Sequence, residues 1–228
     1  MNSVVYKISM KHCKKKILVI APHADDEVLG CGGYLLHQSK EGAEIHIAIA
    51  TIGGTDKLQK YDVRVIEFLQ VCKVLDARGH CFYENKDAEL DSVSHKDLTT
   101  KIDELIDKIR PDELFVSFKS RHQDHIKVYD CAMASIRLRI GYNPKFVALY
   151  EYPFITGDLQ NSVRGGNMFH DISDVINEKV ELFKCYKSQV KESPSPLNAG
   201  GIKALASYRG LSIGVEYAEM FYVQKMII

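Results

Sequence analysis

Two short runs gather the groups able to bind a metal or move a proton: Pro22-His23-Ala24-Asp25-Asp26-Glu27 and Ser120-Arg121-His122-Gln123-Asp124-His125. The first sets one imidazole among three carboxylates, which repel one another and shift their pKa values unless a cation lies among them. The second adds two imidazoles and a carboxylate. His23, one carboxylate of the first run and one histidine of the second make a mixed nitrogen and oxygen set, which suits zinc and leaves a position open for water. That is the coordination of a catalytic metal rather than a structural one. Either run alone reads as ordinary: Asp-Asp-Glu is more often a solvated turn or a helix start that complements the macrodipole, and His-x-x-His is more often surface or core decoration. What raises the metal reading is where the chain places the two runs.

Each run follows a short stretch rich in β-branched residues. Residues 17–21 (ILVIA) precede the first run and 114–118 (LFVSF) precede the second, so both are expected at the carboxyl edge of a parallel sheet, where ligands bind in open α/β folds. A helix over 28–38 and a strand over 44–51 (EIHIAIAT) complete a βαβ unit after strand one. Further on, the spacing predicts a helix over 61–76 and a short third strand over 79–83. The stripe Leu98, Ile102, Leu105, Ile106 and Ile109 predicts another helix, opened by Ser94-x-x-Asp97 and stopped before Pro111. Residues 131–140 read as a helix, 145–150 as a strand and 175–186 as an amphipathic helix. Residues 190–199 read as a loop rich in Pro and Ser, and 217–228 as either helix or strand. The alternation predicts an α/β fold with a doubly wound, mostly parallel sheet. The 228 residues suit one domain.

Composition narrows the function. Thirty Lys plus Arg balance thirty Asp plus Glu, so no global positive field attracts nucleic acid or anionic lipid. No apolar run approaches the roughly 20 residues that span a bilayer, so no integral membrane segment is expected. The lysine-rich start lacks the apolar segment of a secretory signal, and a cytoplasmic location is the expectation. Six scattered cysteines without a CxxC pair exclude a thiolate zinc knuckle or a thioredoxin-type site, and most should be small buried hydrophobes. Gly30-Cys31-Gly32-Gly33 has the spacing of neither a dinucleotide fingerprint nor a Walker loop, and reads instead as room for close packing of helix on sheet. His12, His37, His46, His80, His95 and His170 stand in no motif and read as ordinary surface or strand residues.

Pro22-His23-Ala24-Asp25-Asp26-Glu27 with Leu29-Gly30-Cys31-Gly32-Gly33 resembles the opening motif of the LmbE/PIG-L-like de-N-acetylase family, and His122-Gln123-Asp124-His125 resembles its second motif, usually His-Pro-Asp-His. Arg64-x-x-Glu67, Asp87, Tyr150-Glu151-x-Pro153, Arg209-Gly210 and Tyr217-Ala218-Glu219-x-Phe221 also look like family landmarks, so the resemblance runs along nearly the whole chain. It implies a Rossmann-like three-layer sandwich, and zinc bound by His23, Asp26 and His125, with Fe2+ or another divalent ion as a substitute. It further implies Asp25 as general base, a protonated His122 that steadies the oxyanion beside the metal, and Asp124 as the carboxylate that orients a histidine. Gln123 and Ala24 depart from the family's usual prolines without removing a catalytic group.

The function implied is removal of an acetyl group from an N-acetylglucosamine-type amino sugar or conjugate, a small-molecule substrate. Assembly as a homo-oligomer stays open. Arg64, Asp87 and Arg209 are the candidates for the sugar, through hydroxyl or oxyanion contacts; equally, Arg64 can pair with Glu67 along a helix, Arg209 can be a turn residue, and Glu27 a helix-start carboxylate. Variable segments at 154–169 and 190–206 are expected to select what carries the amide. Two rivals remain: an amidase acting on another acyl amide such as a thiol conjugate, and a Rossmann-like binding domain without catalysis.

Overall fold

The computed structural model describes residues 14–52, 59–84, 88–138, 140–153 and 166–228, and the backbone alone for 59–62. Its frame is a seven-stranded sheet in the order β3-β2-β1-β4-β5-β7-β6. The strands are β1 Lys16–Ala21, β2 Glu44–Thr51, β3 Ala77–Tyr83, β4 Glu113–Ser117, β5 Phe146–Tyr150, β6 Met168–Asp171 and β7 Ala218–Met226. The first five are parallel; β7 runs antiparallel to β5, and β6 antiparallel to β7. The α/β, mostly parallel expectation therefore holds, with an antiparallel edge added.

Helices cover both faces. Helices α1 Asp26–Lys40, α2 Gln59–Val74, α5 Ile176–Phe183 and α6 Ala199–Leu211 pack against Ile17, Val19 and Ala21 on one face. Helices α3 His95–Ile109 and α4 Gln123–Ser135 pack against Leu18 and Ile20 on the other. Burial on both faces is why β1 reads as an unbroken apolar run rather than an alternating one. The stripe of α3 is buried as its spacing predicts, and the Ser94 side chain caps it by accepting the Asp97 N–H at 3.0 Å; such a cap is worth about 1 kcal/mol.

Several boundaries differ from expectation. The 131–140 helix is α4, which begins at Gln123 and ends at Ser135, because His122 caps it and its polar first turn is spent on chemistry rather than on an apolar stripe. Residues 168–171 and 199–211, which overlap the ends of the expected variable segments 154–169 and 190–206, are β6 and α6. The last segment is a strand, β7.

Helix α1 is bent at Cys31 (φ −136°, ψ 20°). The bend leaves backbone groups without helical partners, and a buried ion pair takes them: the Glu219 carboxylate accepts Gly33 N–H (2.7 Å) and Tyr34 N–H (2.8 Å), while Lys179 Nζ donates to Leu29 O (2.8 Å) and to Glu219 (2.7 Å). The glycines permit contact, as expected. A Cβ on Gly30 would lie 2.0 Å from the Tyr150 ring, and one on Gly33 2.5 Å from Ile172. The result holds α1 close to the sheet, with its first turn over the carboxyl end of β1.

Candidate metal centre and active site

Strands β1 and β4 are neighbours from which the sheet is wound in opposite directions, so the loops leaving their carboxyl ends open a crevice. The first motif leaves β1 and the second leaves β4. Three imidazoles meet there, with ring centroids 5.1 Å (His23–His122), 5.3 Å (His23–His125) and 5.6 Å (His122–His125) apart.

Hydrogen bonds decide which nitrogen of each ring faces the crevice. His23 Nε2 lies 2.9 Å from Asp124 Oδ2, which leaves Nδ1 turned to Asp26 Oδ2 at 3.4 Å. His125 Nδ1 lies 3.2 Å from the buried Ser117 hydroxyl, which leaves Nε2 turned to the same Asp26 oxygen at 3.3 Å. Ligand atoms of His23, Asp26 and His125 fall within 4.8 Å of one another. His23, His122 and Asp124 also meet that distance, but both Asp124 oxygens are already engaged: besides His23 they accept Ala88 N–H (2.8 Å) and Leu90 N–H (3.1 Å). Asp124 is thus placed to orient His23 and to fasten the 88–90 backbone to α4.

The local electrostatics favour that division. Burial pushes His125 down to about 4, so it presents a neutral lone pair at neutral pH. Burial would raise Asp26 and Asp124, but His125 and His23 outweigh it at Asp26, and His23 with the Ala88 and Leu90 amides outweighs it at Asp124. Both carboxyls are held below the usual range. Asp25 goes the other way: burial and the neighbouring Asp26 drive it well above an ordinary aspartate, against the pull of Arg64 and His23. Two adjacent aspartates are therefore pushed apart, which is how a site separates a ligand from a proton acceptor.

Asp25 also occupies an unusual backbone conformation (φ 138°, ψ −30°), and a non-glycine residue there costs of order 1–3 kcal/mol unless its surroundings hold it. Its carbonyl accepts Val28 N–H and Leu29 N–H at 3.1 and 3.0 Å, and its N–H donates to Glu27 Oε2 at 3.0 Å. Glu27 is fully buried and bonded to the Tyr186 hydroxyl rather than solvated as a helix-start charge; burial pushes it up to about 7, against those two hydrogen bonds.

His122 is the N-cap of α4, its Nδ1 accepting the Asp124 N–H at 3.2 Å. A nitrogen that accepts offers a lone pair, so the cap uses Nδ1 and leaves Nε2 as the ring's donor. Gln123 occupies the first helical position, where proline is also at home, and its side chain donates to Ala88 O at 3.1 Å.

The three sugar candidates fare differently. Arg64 donates to Ala24 O at 2.8 Å rather than pairing with Glu67, whose carboxylate instead holds Ser188 through its N–H (2.8 Å) and hydroxyl (2.6 Å). Arg209 lies on α6, not in a turn, and its fork holds Glu151. Asp87 lies outside the described residues. Of the remaining histidines, His12 is also outside; His37 bonds His170 and Asp174, His46 bonds His80 and Glu44, and His95 bonds Lys127. Cys31, Cys72 and Cys131 are buried free thiols.

Residues not singled out from sequence complete the site: Ser117 behind His125, Tyr152 stacked on it at 4.5 Å, Tyr186 behind Glu27, and Lys179, which joins the landmark Glu219 in the α1 bend. Only Ser117 left a signal, as the polar residue ending an otherwise apolar strand.

The family model described as PIG-L, GlcNAc-PI de-N-acetylase, matches residues 18–136, which contain both motifs. The probable N-acetyl-alpha-D-glucosaminyl L-malate deacetylase 2 of Bacillus subtilis (strain 168) is 24% identical over 192 residues, 78% of this chain and 85% of that protein. The N,N'-diacetylchitobiose deacetylase from Pyrococcus horikoshii has the same fold (TM-score 0.77, 24% identity, 92% of this chain and 84% of that one). So does the 4-carboxy-2-hydroxymuconate hydratase from Pseudomonas putida KT2440 (TM-score 0.73, 18% identity, 94% and 98%). One fold thus carries more than one reaction, and activity has to be read from the site.

Proposed function

The chain belongs to the PIG-L (LmbE-like) de-N-acetylase family, and from that premise we propose that it is a single-domain enzyme that hydrolyses the N-acetyl group of an amino sugar or amino-sugar conjugate, with zinc held by His23, Asp26 and His125. The observation that carries this reading is the convergence of His23 Nδ1, Asp26 Oδ2 and His125 Nε2 beside a separate buried carboxyl, Asp25. Two imidazoles and one carboxylate fit a catalytic zinc, and Fe2+ suits the same donors. When bound, zinc supplies a Lewis acid that polarises a carbonyl and acidifies water towards a pKa of about 7.

The chain's own groups do the rest. Asp25, with its raised proton affinity, takes the proton from the attacking water and returns it to the leaving amine. His122 donates its Nε2–H to the developing oxyanion, and its cap to Asp124 N–H keeps the ring aimed. Asp124 and Ser117 fix the two metal-facing histidines in one tautomer each. Arg64 keeps guanidinium donors beyond its bond to Ala24 for a sugar hydroxyl. Arg209, whose fork holds Glu151, keeps its remaining guanidinium donors for the substrate.

Relatives named for N-acetylglucosaminyl and diacetylchitobiose substrates support an amino-sugar substrate. The test is acetate release from a panel of N-acetyl amino sugars, their nucleotide and lipid conjugates, and acylated thiol conjugates. Release confined to the sugar members is the expected result. Release confined to the other amides would move the reading to a different amidase.

A further inference from the structure

Asp25 keeps a backbone conformation that an L-residue holds only under constraint, and the constraint is a carboxylate to which the proposed reaction gives no role. Glu27 and Tyr186 are both fully buried and stand outside the metal-ligand set. One Glu27 oxygen accepts the Asp25 N–H at 3.0 Å, and the other accepts the Tyr186 hydroxyl. We propose that Glu27 and Tyr186 form a positioning pair that locks the Asp25 backbone, and through it aims the Asp25 carboxyl at the reacting atoms. This rests on Asp25 being the general base.

The geometry explains why both partners are required. The Val28 and Leu29 amides fix the Asp25 carbonyl, so the peptide after Asp25 cannot turn. The Glu27 bond fixes the peptide before it. With both peptide planes held, the direction of the Asp25 Cα–Cβ bond is settled. Relaxing φ to an ordinary value would break the Glu27 contact and swing the carboxyl away.

A carboxylate held by one oxygen alone would be free to rotate, and the Tyr186 hydroxyl removes that freedom. Tyr186 is itself anchored. It follows α5, and two residues further on Ser188 is tied by two hydrogen bonds to Glu67 of α2. Arg64, also on α2, holds the carbonyl of Ala24, immediately before Asp25. The catalytic turn is thus strapped to two helices on one face of the sheet.

The experiment compares Glu27→Ala, Glu27→Gln and Tyr186→Phe for kcat, KM, metal affinity by chelator competition, and hydrogen exchange of the Asp25 amide by NMR. Glu27→Ala should lower kcat by about 100-fold, the loss that misplacing a catalytic group by about 1 Å brings, with KM and metal affinity unchanged. Glu27→Gln keeps an acceptor oxygen for the Asp25 N–H and should recover most of that loss; Tyr186→Phe should fall between. The Asp25 amide should lose protection in Glu27→Ala and keep it in Glu27→Gln. Glu27→Gln as impaired as Glu27→Ala, Glu27→Ala as active as the native enzyme, or a protected Asp25 amide in Glu27→Ala would overturn the proposal. Absence of acetate release by the native protein would count against the base assignment alone, since the amide exchange reads the strap without any turnover.

Discussion

Among the described residues histidines gather in three places, the His23–His122–His125 crevice and the His46–His80 and His37–His170 pairs, and only the crevice has the geometry of a metal centre. His46 on β2 and His80 on β3 are stacked, with centroids 5.3 Å apart at 13°, and they spend their inward nitrogens on each other while His46 Nε2 faces Glu44. His23 and His125 each give one nitrogen to an outer partner, Asp124 or Ser117, and so turn the other towards Asp26. The difference teaches that nearness of imidazoles does not make a site. An outer bond to each ring, set by the ends of β1 and β4, does.

The largest effect should come from breaking that convergence. His125→Ala is expected to abolish both stoichiometric metal binding and acetate release, whereas His80→Ala should leave metal content at the native level. Equal metal loss in both, read by elemental analysis of the purified proteins, would erase the distinction between the groupings.

Next in size is the base. Asp25→Asn removes the proton acceptor without touching the three metal-facing atoms, so kcat should fall by about 100- to 10,000-fold while metal content stays native. A metal-loaded Asp25→Asn enzyme of native activity would transfer the role to another group.

His122→Ala removes one oxyanion donor, for which about 100- to 1,000-fold in kcat is the usual cost. It also uncaps α4, at a cost of about 1 kcal/mol, so a slightly lower melting temperature should accompany the loss. Unchanged turnover in steady-state assays would remove His122 from the chemistry.

The smallest effect belongs to the His46–His80 pair and appears in stability rather than rate. Burial, followed by the charges of His46, Lys108 and Arg78, holds His80 down to about 4; burial also lowers His46, opposed by Glu44. An unfolded histidine titrates near 6.5, so the unfolded chain binds more protons than the folded one between the two values. The contribution is therefore full above about pH 6.5 and is lost as pH falls towards 4. Urea unfolding at pH 7 and pH 5 should show a smaller loss for His80→Gln than for the native protein. Identical losses would mean that the pair does not contribute.

The elements that build this comparison were unequally legible in the sequence. Strands β1, β2 and β4 announce themselves because a strand buried on both faces must be apolar throughout, and α3 because one face of it is buried. Both motifs were legible because chemistry demanded charged residues just beyond such strands. Helix α6 was hidden by Gly200 and Gly201 in its first turn, and by a start fixed by the Asn198 side chain rather than by periodicity. Strand β7 starts buried and ends alternating, so neither template fits all of it. Lys179 lies 150 residues from the Leu29 carbonyl it holds at the α1 bend, Glu219 lies 186 from Gly33, and Tyr186 lies 159 from Glu27. Such pairings come from topology, which a local reading cannot supply. The capping role of the His122 ring is likewise invisible until the start of α4 is placed.

The most direct test of the central claim is a zinc titration of chelator-stripped protein, with acetate release from an N-acetyl amino sugar followed at each addition. Activity should rise in proportion to zinc and saturate at one equivalent per chain, and His125→Ala should show neither the binding nor the rise. Full activity in the stripped protein, or the same saturating response in His125→Ala, would contradict it.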